Sequence, residues 1–299
     1  PGVPVFFIIS GYLIGSAYER RVSNTGFYID RVRRIYPALY FSLIMSVIIV
    51  FVFSLPVVNS EFFVWVFTQM TFMQNYDPEF LSGFGVGKLN PPLWTIAVEI
   101  QFYVLVPVIF FLINKLEIKT LVFLFVSLIL LKEFNNILHI NGGLGSKLFN
   151  QSAIPHLYLF VLGVFLSIRK DLVKKYASGK FFHWLGVYSL VVLVSVLVGV
   201  ETQSNWQSGF VSLSLGMMAI SFAFSYVEKL KVFRPKYDLS YGIYIYHYIV
   251  INVLVEVGYS GVEGLILMIL VTLGVSIISW RYIEEPFIRK KSHRKLAVS

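Results

Sequence analysis

Apolar positions along the chain fall in long unbroken stretches separated by short polar breaks, with no sustained two-residue alternation. A helix that crosses a bilayer needs about 20 largely apolar residues. Nine stretches approach this: 3–18, 36–55, 93–113, 118–131, 152–168, 181–200, 208–226, 239–257 and 264–282. The pattern predicts an all-α fold, a polytopic transmembrane helical bundle with about nine spanning helices. A further apolar run, 62–73, is too short to span and lies inside a longer loop, 56–92, where it would form an interfacial or re-entrant helix. The whole of 1–299 reads as a single transmembrane domain ending in a basic tail, 287–299. The chain opens on Pro1 and runs straight into apolar sequence. That start is read as a truncation that removes one upstream helix, giving about ten in the parent protein.

Composition sharpens the membrane reading. The chain is 57% hydrophobic and 14% charged, whereas soluble domains carry about 25% charged residues. So little charge cannot cover a water-facing surface. With no cysteine, disulfides and thiolate metal sites are excluded, and no metal site is expected.

The net charge of +9 is topological. Threading the nine stretches through a bilayer puts 22 of the 25 Lys and Arg residues in loops on one side and only Lys88, Lys132 and Lys147 on the other. Positive loops stay cytoplasmic during insertion. The C-terminus is therefore expected in the cytoplasm and the first visible residue outside. Nucleic acid is not an expected partner; the basic tail suits anionic lipid.

Ionisable side chains within spanning helices are costly unless paired or hydrated, so each marks a candidate site. Glu99 and Tyr103 share a helical face, four residues apart. Ser240, Tyr244 and His247 form a second polar stripe. His156 lies near an outer helix end and reads as ordinary. Arg31, Arg33 and Arg34 precede Pro37, which is expected in the first turn of the next helix. That places three guanidiniums, suited to bidentate phosphate binding, at its cytoplasmic mouth. Glu284, Glu285 and Pro286 are expected to end the last helix, with Pro286 stopping it.

Five segments in order resemble the acyltransferase family 3 proteins, bacterial membrane O-acyltransferases of surface polysaccharides. They are GVPVFFIISGYLI (2–14), FYIDRVRRIYP (27–37), LWTIAVEIQFY (93–103), LSYGIYIYH (239–247) and RYIEEPF (281–287). They are similar, in turn, to the family's GVDLFFVLSGFLI, FYxRRxxRIYP, LWSLSVEEQFY, ISYSLYLWH and RFIEKPF. Pro4 stands where the family has Asp, and Ile100 where it has a second Glu.

The resemblance implies transfer of an acyl group, usually acetyl, from an acyl-CoA co-substrate to a sugar hydroxyl, with no bound cofactor. Partners would be the lipid bilayer, acyl-CoA and a glycan acceptor, in the bacterial cytoplasmic membrane. The family's functional Arg-x-x-Arg pair maps onto Arg31 and Arg34. Its catalytic His belongs to the helix upstream of this chain, so the segment alone is expected to be inactive, with His247 the in-chain substitute. Trp94, Glu99, Tyr103, Ser240, Tyr241, Tyr244 and Glu284 would line the cavity or brace its helices. Two other classes remain open: a transporter or flippase of lipid-linked sugar, and a non-catalytic membrane sensor.

Overall fold

A computed structural model describes residues 2–21, 23–53, 59–71, 73–74, 76–139, 149–200, 202, 207–226 and 237–288. Among the described residues there is no β-strand. The helices are α1 (Gly2–Glu19), α2 (Asn24–Val52), α3 (Ser60–Met70), α4 (Leu93–Lys115), α5 (Ile118–His139), α6 (Leu157–Ile168), α7 (Lys170–Tyr176), α8 (Phe181–Val198), α9 (Gly209–Tyr226), α10 (Ser240–Glu256) and α11 (Gly261–Ser279). Six described helices are long and apolar enough to cross a membrane, and the shorter apolar helix Ile154–Ile168 adds to them. The protein is thus multi-pass and helical, with a count by length below the nine stretches read from hydropathy. The basic tail from residue 289 onward lies outside the described residues.

The chain forms two compact units. One comprises Pro1–Asn24 and Val98–Arg234, the other Thr25–Ala97 and Pro235–Ser299. In the first, α1 packs on α6 through small residues. A Cβ on Gly11 would strike the Phe160 carbonyl, and one on Gly163 would strike the backbone of Ile8, Gly11 and Tyr12. A Cβ on Gly15 would meet the Ser167 side-chain hydroxyl and the Val164 Cα. Small residues four apart on both partners let the backbones touch, the device that joins helices where lipid removes the hydrophobic drive. Around this seam Phe7, Phe102 and Phe160 are buried, with the last two rings stacked 4.2 Å apart. His156 also packs on Phe7, at 4.8 Å between rings. Glu133 closes the N-terminus of α9, accepting from the Gly209 N–H at 2.5 Å and the Ser208 hydroxyl at 2.9 Å.

In the second unit, α10 packs on α11, and a separate apolar cluster joins Val50, Phe62, Trp65, Leu81, Phe84 and Leu89. The short apolar run of the 56–92 loop is α3, capped by Asn59, whose side chain accepts from the Phe62 N–H at 3.0 Å. Asn252, fully buried, ties α10 to the loop. Its amide donates to the carbonyls of Lys88 and Leu89 and its oxygen accepts from the Val86 N–H.

Two expectations are corrected here. Pro37 is interior to α2, which begins at Asn24 and not near Tyr36. A proline there frees the Arg33 carbonyl; that carbonyl lies among the helix's polar residues, beyond the apolar stretch, where water can satisfy it. Pro286 does not stop the last helix, which runs to Ile288. The helix first widens into a π-turn, Trp280–Glu284, closed by the Glu285 N–H on the Trp280 carbonyl. Pro286 thereby falls in the first turn of the resumed α-helix, where its missing N–H costs little.

Candidate active site

In the second unit, three of the sequence motifs meet. Arg34, on the polar first third of α2, donates to Asp238 at 2.9 Å, both about two-fifths exposed. Ser240, opening α10, donates to the other Asp238 oxygen at 2.7 Å. Desolvation pushes the Asp238 carboxyl up, but the Ser240 hydrogen bond and the Arg34 charge together outweigh it and hold the group below the usual carboxylate range. Tyr241 donates to the Ile35 carbonyl at 3.1 Å. Tyr246 is 2.6 Å from Ser279, which donates to Glu284 at 2.9 Å. Glu284 in turn feels the charges of Arg34 and Asp238. Motifs two, four and five thus share one polar network at one end of α2.

Arg31 and Arg34 lie three residues apart on one helical face, with the Arg31 guanidinium 5.6 Å from the centre of the Phe27 ring. Arg33, half-buried, sits between them in sequence on a different side. Tyr244 bonds Thr95 and donates to the Pro92 carbonyl at 3.1 Å, so motif four also holds the start of α4. Trp94 is half-buried in that first turn.

His247 is half-buried one turn further along α10. Its Nδ1 faces the carbonyls of Ile243 and Tyr244 at 3.1 and 2.8 Å. Both are acceptors, so Nδ1 carries the hydrogen of the neutral ring, and Nε2 is the basic nitrogen. The polar stripe of Ser240, Tyr244 and His247 is real as a helical face, but its members serve three different partners.

Motifs one and three meet in the first unit. Glu99 accepts from Ser10 of α1 at 3.2 Å and from Tyr103 at 2.6 Å, both at Oε1. The i, i+4 pairing read from the sequence is therefore a hydrogen bond, and Ser10 is the partner it did not identify.

Sequence reading also missed Asp238, Tyr246 and Ser279. Asp238 directly precedes motif four and could have been found there. Ser279 carried no signal, because a serine in a spanning helix usually bonds its own preceding carbonyl. Among the described residues no group of three His, Asp or Glu side chains is arranged to hold a metal ion.

A family model described as an acyltransferase domain matches residues 1–281. The chain belongs to acyltransferase family 3. This member is 26% identical over 322 residues to nodulation protein 10 of Rhizobium leguminosarum bv. viciae, an alignment covering 100% of this chain and 86% of the relative. It is 27% identical to O-acetyltransferase OatA of Staphylococcus aureus, covering 99% of this chain and 53% of that protein. Peptidoglycan O-acetyltransferase OatA of Listeria monocytogenes is 27% identical, with 97% and 51% covered. The chain thus spans about half the length of the OatA proteins. No solved structure matches it. It is, in sum, a membrane acyltransferase domain whose family motifs the fold gathers into two polar networks.

Proposed function

We propose that this acyltransferase moves an acetyl group from acetyl-CoA to a sugar hydroxyl of a cell-surface or exported glycan, in the bacterial cytoplasmic membrane. The observation that carries the reading is the match of residues 1–281 to the acyltransferase family, supported by relatives named as O-acetyltransferases. The Lys and Arg asymmetry supports a cytoplasmic position for the start of α2 and an outer position for the 56–92 loop. On that reading Arg31 and Arg34 offer their shared face to the CoA phosphates, with Arg33 adding charge at the mouth. Arg34 exchanges its Asp238 partner for phosphate, a bidentate acceptor of higher charge.

The chemistry then needs one proton moved. The sugar oxygen forms a bond to the thioester carbonyl carbon as its proton passes to a base. The tetrahedral oxyanion collapses, the carbon–sulfur bond breaks, and the thiolate takes the proton. Within the chain His247 Nε2 is the candidate base, alongside the upstream His that the family resemblance implies. Glu99, Trp94, Tyr103, Tyr241, Tyr244 and Glu284 hold the helices that carry these groups.

The test is steady-state transfer by the full-length protein in membranes supplied with labelled acetyl-CoA. Arg34→Ala should raise the KM for acetyl-CoA about tenfold or more, the scale of one lost charged hydrogen-bond pair. An unchanged KM removes the CoA role. Passage of glycan across the membrane without acetylation favours a flippase instead.

A further inference from the structure

Within the first unit a cavity of about 540 Å³ lies between α1, α7 and α9, a size in the range of about 300–1,000 Å³ that holds small molecules. Its walls are apolar, with Ile9 and Leu13 from α1, Val173 from α7 and Ile220 from α9. Two further lining rings, Tyr12 and Phe224, meet edge-on at 5.2 Å. Leu13 is 58% exposed, so the cavity opens sideways along α1, where a membrane helix faces lipid.

One end of the cavity is cationic. Lys170 and Lys174 line it, and being four residues apart on α7 they share a helical face. Lys170 lies 3.5 Å from Glu19 at the end of α1, an exposed pair of the kind that contributes little and is readily exchanged. Among the described residues Lys174 has no carboxylate partner. Lys175 and Lys180 stand close by, 5.0 and 5.9 Å from the centre of the Tyr176 ring, so the rim as a whole is positive.

The depth of the cavity selects its guest. From Glu19, beside the charged rim, Ile9 lies ten residues back along α1, or about 15 Å. That is half of a hydrocarbon core about 30 Å thick, the depth of one leaflet. The occupant therefore needs an anionic head and an apolar tail one leaflet long. Acetyl-CoA has the phosphates, but its acyl group is two carbons at the end of a polar arm. A phospholipid has both parts, and the positive rim favours an anionic headgroup over a zwitterionic one.

We propose that this cavity holds one anionic phospholipid, its phosphate on Lys170 and Lys174 and an acyl chain along Ile9, Leu13 and Ile220. The lysine stems lie on the apolar wall while their ammonium groups stay at the interface. On the orientation that the Lys and Arg asymmetry supports, the lipid belongs to the cytoplasmic leaflet. The site is independent of acetyl transfer, since none of its residues belongs to the two polar networks.

The experiment uses the full-length protein, with retained lipid counted by native mass spectrometry during titration with phosphatidylglycerol or phosphatidylcholine. Three variants are compared with wild type. Lys170→Gln/Lys174→Gln removes the rim charges, Lys175→Gln/Lys180→Gln removes the same charge from neighbours outside the cavity, and Ala223→Phe fills the apolar part, which Ala223 lines. Wild type is expected to bind one phosphatidylglycerol about tenfold more tightly than phosphatidylcholine. Lys170→Gln/Lys174→Gln should lose that preference, Lys175→Gln/Lys180→Gln should keep it within threefold, and Ala223→Phe should weaken both lipids. No preference in wild type, equal loss in the two lysine double variants, unchanged binding in Ala223→Phe, or displacement of the lipid by acetyl-CoA overturns the proposal. The exposed lysine pairs decide the matter even where Ala223→Phe fails to fold.

Discussion

The contact between α1 and α6 makes the sharpest structural prediction, because it is backbone against backbone. Gly163→Ala places a methyl group where the Tyr12 nitrogen would be 2.7 Å away and the Gly11 carbonyl carbon 3.0 Å away, with the Ile8 carbonyl closer still. No side-chain rotation relieves a clash with main-chain atoms. Ordinary contact begins at 3.4 Å, so the helices must part by at least 0.7 Å at this point. Overpacking of this kind costs about 1–3 kcal/mol. A gap of that size also forfeits a quarter to a half of the local dispersion energy along the seam. A loss near 2 kcal/mol corresponds to a fall in melting temperature of roughly 3 °C for a chain of this size. The assay is thermal unfolding of the protein in nanodiscs, followed by intrinsic fluorescence. Gly186→Ala is the control, since nothing lies within 4 Å of its added Cβ and alanine favours a helix interior. It should leave the midpoint unchanged or raise it slightly. A Gly163→Ala protein as stable as wild type refutes the close α1–α6 seam.

Other outcomes follow from the polar networks. Asp238 titrates below its unfolded value, so its contribution is present above the unfolded carboxylate range and is lost as pH falls through the folded value. Stability measured against pH should therefore be flat from 8 to 5 and fall below about 4, and Asp238→Asn should shrink that acid limb; an identical limb in the variant contradicts the Arg34 pairing. Glu133→Ala removes the carboxylate that caps α9 and should cost about 1 kcal/mol in chemical unfolding, with Glu133→Gln in between. Tyr246→Phe strips the hydroxyl from Ser279 and should cost about 1–2 kcal/mol, while Tyr282→Phe, on an exposed ring, should cost nothing measurable.

Hydropathy placed most helix centres and missed their ends, for reasons that particular residues show. The start of α2 carries Asn24, Asp30, Arg31, Arg33 and Arg34, so it fails an apolar filter, yet nothing in it breaks a helix and the chain is helical from Asn24. Lys132 and Glu133 cut short the apolar run of α5, but the helix continues to His139, with Lys132 buried and Glu133 turned to cap a neighbour. Pro37 and Pro286 each resemble a boundary in sequence. One sits where water can satisfy the freed carbonyl, and the other follows a π-turn that no local pattern announces.

The site shows the same division. The Glu99–Tyr103 pairing was legible because it is set by spacing within one helix. The Arg34–Asp238 and Tyr246–Ser279 contacts join residues far apart in the chain, and helical periodicity says nothing about them. The bonds from Asn252 of α10 to the Lys88 and Leu89 carbonyls were invisible for the same reason, since they join residues far apart in the chain.

The central claim is acetyl transfer to a glycan hydroxyl by a membrane enzyme that grips its donor through Arg34. The most direct measurement is mass spectrometry of surface glycan from cells expressing the full-length protein, its Arg34→Ala variant, or neither. Ester-linked acetyl groups, released by mild alkali, should appear with the wild type, fall about tenfold or more with Arg34→Ala at limiting donor, and be absent without the protein. Glycan carrying no acetyl ester in wild-type cells, with the protein folded in the membrane, contradicts the account.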